Sequence, residues 1–472
     1  MKHVAFPGRL VMLGCGSIGQ GVLPLIRRHI EMPAERITIV TADARGREVA
    51  AECGGVRFVE QAITRDNLRE VLVPLLGRGD FLLNLSVDVS SVALIRLCRE
   101  IGALYLDTCI EPWAGGYTDP ALTPSERSNY GLRESALAVA RENPGRGPTA
   151  LLTHGANPGL VSHLVKEALL DIARDTGVEV PMPRDRAGWA GLAERLGVKV
   201  IHIAERDTQV AEHRPKRVGE FVNTWSVDGF VGEGCQPSEL GWGTHEKTLP
   251  YDGHRHEFGC DAAIYLLRPG AGTRVRSWTP LEGPMHGFLV THNESISIAD
   301  YYTVKEGDGR VRYRPTVHYA YHPCDDAVLS LHEIAGKNWR MQPKQRLMME
   351  EITSGMDELG VLLMGHKRDA YWYGSRLTIE EARRLAPHNN ATSLQVTAAV
   401  LAGMVWAIEN PEAGIVEADQ IDHVRCMEIM RPYLGEVVGV YSDWTPLQGR
   451  GFPFPEAVDE RDPWQFGNFR VV

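Results

Sequence analysis

The feature that most constrains this chain is Gly14-Cys15-Gly16-Ser17-Ile18-Gly19, directly behind the apolar run Leu10-Val11-Met12-Leu13. The run reads as a strand, and Gln20 to His29 reads as the helix after it. In a G-x-G-x-x-G turn the first glycine permits the tight bend. The second lets backbone approach a pyrophosphate, and the third lets helix and strand pack closely. The helix N-terminus adds unpaired N–H groups and partial positive charge for the phosphates. A lone glycine fingerprint says little, but strand, turn and helix in this order point to a dinucleotide site. A second strand, Ile37 to Val40, ends at Thr41-Ala42-Asp43. An acid near this strand end accepts from the adenosine ribose and favours NAD over NADP. Asp43 lies slightly past the usual position, and Arg45 and Arg47 leave a 2′-phosphate open as the alternative.

The first 150 residues alternate short apolar runs with amphipathic stretches. Strands are expected at 10–14, 36–41, 56–59, 80–86 and 103–107, with helices such as 66–76 and 90–101 between them. That alternation predicts an α/β fold: a Rossmann-type, doubly wound parallel sheet. Ligands of such sheets sit beyond the carboxyl ends of the strands. A Pro/Gly-rich turn at 142–148 leads to a strand at 149–153, then to a helix from about Gly159 to Ile172. Residues 173–197 read as a charged, mobile excursion. Strands at 198–204, 219–227, 262–267, 287–291, 295–303 and 311–320 predict a second, mixed α/β domain. A core helix runs from Leu394 to Glu409, and a Pro/Gly/aromatic tail follows from Trp444. The expected division is a nucleotide-binding domain at 1–153 and a mixed domain at 154–425, some of whose helices return to the first. An extension at 426–472 packs on the body or on a subunit interface.

Composition excludes several classes. With 61 acidic against 50 basic residues, formal net charge is −11. That disfavours nucleic acid and suits a cationic ligand. The eight cysteines form no C-x-x-C, and His254, His256 and Glu257 fit no zinc-protease spacing, so no metal site or disulfide framework is expected. No signal peptide is recognisable, and no apolar stretch is read as reaching about 18 residues, so a cytoplasmic protein without membrane partners is expected.

Four features then carry chemistry. Asp88 and Glu111 lie just past strand ends, where a nicotinamide ring belongs. Glu205 and Asp207 end the apolar run Val198 to Ala204. Trp225, with Asp228 and the Gly232-Glu233-Gly234 segment after it, offers a π-face beside carboxylates. Such a clamp on a cation contributes roughly 0.5–2 kcal/mol. His292 closes the strand that ends Val290-Thr291. Taken singly, each has an ordinary reading: an acid after a strand caps a turn, a tryptophan fills a core, a histidine donates one structural hydrogen bond. Glu111, Glu205 and His292 are the candidate proton acceptors.

Together these segments resemble the bacterial homospermidine synthases of the saccharopine dehydrogenase-like group. The resemblance rests on Gly14 to Gly19, Asn84 to Asp88, Asp107 to Trp113, His154 to Gly159, Ile203 to Gln209, Asn223 to Val227, Gly232 to Gly234 and Thr291 to Glu294. It implies NAD held by Gly14, Gly16, Ser17, Ile18, Gly19, Asp43, Asn84, Ser86, Thr108 and Asn157. It implies a homodimer that converts two putrescines, or spermidine and putrescine, to homospermidine. By the same resemblance Trp225 stabilises cationic intermediates, Glu233 and Glu205 bind distal amines, and Asp88 and Glu111 flank the reacting centre. Asn157 would bridge cofactor and substrate. The alternatives are a saccharopine- or carboxyspermidine-type dehydrogenase with net redox, and an NAD-containing polyamine-binding protein.

Overall fold

The computed structural model describes residues 1–142, 147–179 and 181–472; most of the turn expected at 142–148 lies outside them. Strands Leu10–Leu13, Ile37–Thr41, Arg57–Glu60, Phe81–Asn84, Leu104–Asp107 and Ala150–Leu152 form a parallel sheet. The Arg57–Glu60 and Leu10–Leu13 strands flank Ile37–Thr41, and the other three follow on the far side of Leu10–Leu13. Strand order thus reverses at Leu10–Leu13, and a crevice opens there at the carboxyl ends. Successive strand residues enter opposite faces, and both faces are covered. Leu10 and Met12 pack with helix Ser17–His29, while Val11 and Leu13 pack with helix Ser91–Ile101. That double burial explains uninterrupted apolar strands.

A seventh strand, Ile415–Glu417, pairs parallel to Ala150–Leu152 from far along the chain. It is preceded by helix Ala391–Glu409, which starts in a reciprocal cap between Asn390 and Ser393. Contrary to the sequence reading, this helix is long and apolar enough to cross a membrane, with a mean hydropathy of 1.6. It is apolar all round because 83% of that stretch is buried between the sheet and its neighbours.

The second sheet is mixed. Its spine runs Pro237–Gly241, Thr316–His322, Val200–Asp207, Met356–His366, Asp369–Thr378 and Glu436–Ser442. Thr316–His322 lies parallel to Val200–Asp207, which pairs antiparallel with Met356–His366 on its other side. Helix Leu160–Asp175 packs on one face. On the other, Trp444, Trp464 and Phe469 of the tail bury Val200, Ala204 and Trp372. Helix His423–Met430 runs across the boundary placed at 426, and Glu436–Ser442 is a sheet edge.

Three expected elements differ. Within the excursion at 173–197, Arg186–Leu196 is a helix capped by Asp185, whose carboxylate accepts from the Gly188 N–H at 2.8 Å. Trp189, Leu192, Ala193 and Leu196 form its buried stripe, so its charges mark only an outer face. The strand expected at 295–303 is helix Asn293–Tyr301. Its Ser-Ile-Ser-Ile alternation imitates a strand, yet the serines are as buried as the isoleucines. The strand expected at 219–227 stops at Asn223, and helix Val227–Cys235 follows.

Candidate active site

A cleft of about 600 Å³ opens where the two sheets meet, and every residue the resemblance assigns to the site lines it, whereas Asp207 is buried behind it and accepts from the Thr224 hydroxyl at 2.6 Å. Its floor on one side is the glycine turn. A Cβ on Gly14 (φ +85°) would sit 2.6 Å from the Leu85 carbonyl oxygen, and one on Gly19 would sit 2.9 Å from that of Gly14. Gly16 has nothing within 4 Å of such a Cβ, so the open side of the turn faces the cleft. Helix Ser17–His29 begins without a side-chain cap and without an acid in its first turn. A phosphate-sized anion satisfies those N–H groups. Asn84 and Ser86, at the next strand end, bond each other at 2.6 Å, and Thr108 follows Leu104–Asp107. These residues fit a dinucleotide. Asp43 holds Arg45 by a 2.8 Å hydrogen bond from Nε, whereas Arg47 pairs with Glu60 at 2.7 Å and is not among the lining residues.

The other end of the cleft is acidic. Asp88 adopts φ +63°, a left-handed turn conformation that Asp tolerates. Its N–H donates to Glu111 Oε2 at 3.4 Å. Glu111 is anchored through its own N–H, which donates to Ser91 Oγ at 3.0 Å. Burial lifts the Glu111 carboxyl to about 7, with Glu233 adding to the rise. Glu205 is carried by Val200–Asp207. It accepts from the Tyr319 hydroxyl and, at 3.2 Å, from Asn157 Nδ2. Burial lifts its carboxyl to about 8 in spite of the Tyr319 hydrogen bond. Two carboxyls with ionisation this close to neutrality mark a place for proton exchange.

His292 stands at the start of helix Asn293–Tyr301, with Nε2 at 2.9 Å from Glu233 and Nδ1 at 3.3 Å from Glu294. Burial opposes its charge, but the two carboxylates outweigh it and hold its pKa well above the ordinary value. The two carboxylates thus favour the charged form of the His292 imidazole. Trp225 is half-buried, and its indole N–H donates to the Tyr321 hydroxyl at 2.9 Å.

The sequence reading missed Tyr319, Tyr321 and Glu294. The two tyrosines stack at 5.0 Å on one strand, and Tyr321 is in register with Glu205. Their spacing of two on an apolar strand was the available signal; which strand they paired with was not. Gln345 and Thr392 also reach the cleft from distant segments with no local mark.

Residues 10–151 match the saccharopine dehydrogenase NADP binding domain, and residues 155–441 match the saccharopine dehydrogenase C-terminal domain. Fold and cleft thus define a two-domain protein of the saccharopine dehydrogenase class. Within that class the chain belongs to the homospermidine synthase family. It is 59% identical to a homospermidine synthase of Blastochloris viridis over 467 residues, covering 98% of this chain and 97% of that one. It is 54% identical to that of Mesorhizobium japonicum over 470 residues, covering 98% and 96%. The crystal structure of the Legionella pneumophila homospermidine synthase in complex with NAD superposes with a TM-score of 0.92 at 51% identity, covering 99% and 98%. A saccharopine dehydrogenase (L-Glu forming) from Saccharomyces cerevisiae shares the fold, with a TM-score of 0.50 at 11% identity and coverage of 92% and 100%.

Proposed function

We propose that this chain is an NAD-dependent homospermidine synthase that joins two putrescines, or spermidine and putrescine, with loss of ammonia. The observation that carries the reading is the acidic end of the cleft. Glu111, Glu205 and Glu233 surround a half-exposed tryptophan, and among the described lining residues the one arginine, Arg45, lies at the nucleotide end. Carboxylate-bearing substrates, as a saccharopine-type dehydrogenase takes, need cationic partners, and His292 at this end is already held between Glu233 and Glu294.

Gly14, Gly16, Ser17, Ile18 and Gly19 would cradle the NAD pyrophosphate, with Asp43 toward the ribose and Asn84, Ser86, Thr108 and Asn157 along the rest. The chemistry NAD supplies when bound is a hydride taken from the amine-bearing carbon of the donor and later returned to the new carbon–nitrogen double bond. The residues do the remaining work. A diamine enters as a dication, so its ammonium groups meet Glu233 at one end and Glu205 at the other. The amine on the reacting carbon must be neutral before oxidation, and Glu111 or Glu205 takes that proton at a pKa matched to neutral pH. The indole of Trp225, fixed by Tyr321, faces the cationic imine. Ammonia leaves when the second amine attacks that carbon, and the same carboxyls return protons. The imidazolium of His292 keeps Glu233 in place between turnovers.

The test is mass spectrometry of products from purified protein, putrescine and substoichiometric NAD. Homospermidine and ammonia in many-fold excess over NAD support the reading. An aldehyde and NADH limited to the NAD supplied make it a dehydrogenase, and bound putrescine without product makes it a binding protein. We also place it in the cytoplasm as a homodimer: its eight cysteines are all free thiols, and the family resemblance supports the dimer, which light scattering checks.

A further inference from the structure

The proposed amine chemistry leaves four polar side chains of the cleft unused. From the first domain, Asp43 grips Arg45 through Nε at 2.8 Å and a terminal nitrogen at 2.7 Å, and its other oxygen takes the Arg45 N–H at 2.9 Å. From the second domain, Asp228 accepts from Gln345 Nε2 at 2.6 Å. All four line the cleft. The Asp43 hydrogen bond raises the pKa of Arg45 against burial, and Asp228 adds a smaller charge effect from the second domain.

We propose that Asp228 and Gln345 close on Arg45 and Asp43 as a clasp over the nucleotide, that this clasp sets how slowly NAD leaves, and that an amine bound at Glu233 tightens it. The coupling follows from one short helix. Val227–Cys235 carries Asp228 in its first turn and Glu233 in its last. Its start is fixed by Ser226, whose hydroxyl accepts from the Gly229 N–H at 3.1 Å. A Cβ on Gly229 would lie 3.4 Å from the Trp225 ring, so the helix rests on the indole that meets the substrate. An ammonium held by Glu233 and Trp225 pins this helix, and Asp228 with it. By linkage, bound NAD then strengthens amine binding by the same factor. The inference rests on the proposed redox-neutral reaction, in which the cofactor is regenerated in place and gains nothing by leaving.

The experiment is NAD release from the loaded, full-length protein, followed by displacement with excess fluorescent etheno-NAD. It compares wild type, Asp228→Ala and Gln345→Ala, at low and high salt, with and without putrescine, counting NAD and NADH together. Asp228→Ala should release about threefold to fivefold faster, the scale of an exposed charge pair. Salt should speed wild-type release more than that of Asp228→Ala. Putrescine should slow release in wild type and lose that effect in the variant. Equal release from wild type and both variants at both salt concentrations overturns the clasp. Release indifferent to putrescine in wild type overturns the coupling. The amine-free arm involves no turnover, so a failure of the synthase assay leaves it standing and counts only against the proposed reaction.

Discussion

Two buried charge clusters in this protein are built on opposite terms. Around Arg133 the charges balance, because Arg141 also pairs with Glu134 and Arg186 with Asp300. Its guanidinium is 2% exposed and takes Glu417 through two nitrogens at 2.6 and 2.7 Å, Asp300 at 2.9 Å and Glu134 at 3.3 Å. Burial opposes the Arg133 charge, and the acids around it outweigh burial and raise its pKa further. The cluster ties helix Asn129–Glu142 to strand Ile415–Glu417 and helix Asn293–Tyr301, and so locks the two domains together. At the far end of the cleft from Arg45, Glu111, Glu205 and Glu233 have His292 as the one cation among the described lining residues, and burial pushes the first two toward neutrality. A charge deficit inside a protein costs stability unless a ligand supplies the missing charge. The first cluster is complete without a ligand; the second is the one that the proposed diamine substrate would complete.

The sharpest way to break this contrast is to substitute one member of each cluster. Glu205→Gln should lower turnover by about 10²–10⁴, the usual worth of a positioned proton acceptor, while leaving melting temperature at pH 8 unchanged or higher. A variant that loses stability and keeps turnover would place Glu205 with the structural cluster. Arg133→Met should do the reverse, costing about 3–5 kcal/mol on denaturant unfolding because the buried Glu417 loses its partner, while Asp300 keeps Arg186 and Glu134 keeps Arg141. Turnover per folded molecule should hold. Next in size, Trp225→Ala should lose about tenfold to thirtyfold in turnover, corresponding to the upper range of a desolvated cation–π contact, and should retain NAD through gel filtration. A fully active Trp225→Ala protein removes that role.

The pH dependences sharpen the same contrast at smaller amplitude. Activity on a dicationic substrate should rise with pH through about 7 to 8, as Glu111 and Glu205 ionise, and Glu111→Gln should delete the lower part of that rise. Stability should run the other way. Both carboxyls have folded pKa values above the ordinary carboxylate value, so the folded state holds protons that the unfolded chain has released. Stability therefore falls as pH climbs from about 4.5 toward 8. Thermal melts with and without putrescine would show it: the amine should flatten that decline, and an unaltered slope would mean the acids are not its site.

The two ends of the cleft also differ in how far the sequence announced them. The nucleotide end lies in one stretch, with each residue at a strand end, and the parallel-sheet rules place those ends together. The glycine turn, Asp43, Asn84, Ser86 and Thr108 were legible for that reason. At the amine end Glu205, Trp225, Glu233 and His292 were named from strand ends and resemblance. Tyr319 and Tyr321 were not, because nothing local says that Thr316–His322 lies beside Val200–Asp207. The helix at 293–301 was misread because alternation marks a strand only when one face meets solvent, and here neither does.

The sequence by itself determined the glycine cradle, the parallel order of the first sheet and the acidic character of the ligand site. These follow from backbone sterics, burial of both sheet faces and charge, all of which act over short stretches of chain. Tertiary structure alone decided the protonation states. The pKa of His292 is raised because a distant helix brings Glu233 to Nε2, opposite the chain neighbour Glu294 at Nδ1. The Glu205 carboxyl is held well above its ordinary range because neighbouring strands strip its water away. Desolvation and charge proximity depend on what packs around a group, and that is set by strand pairing between segments more than a hundred residues apart.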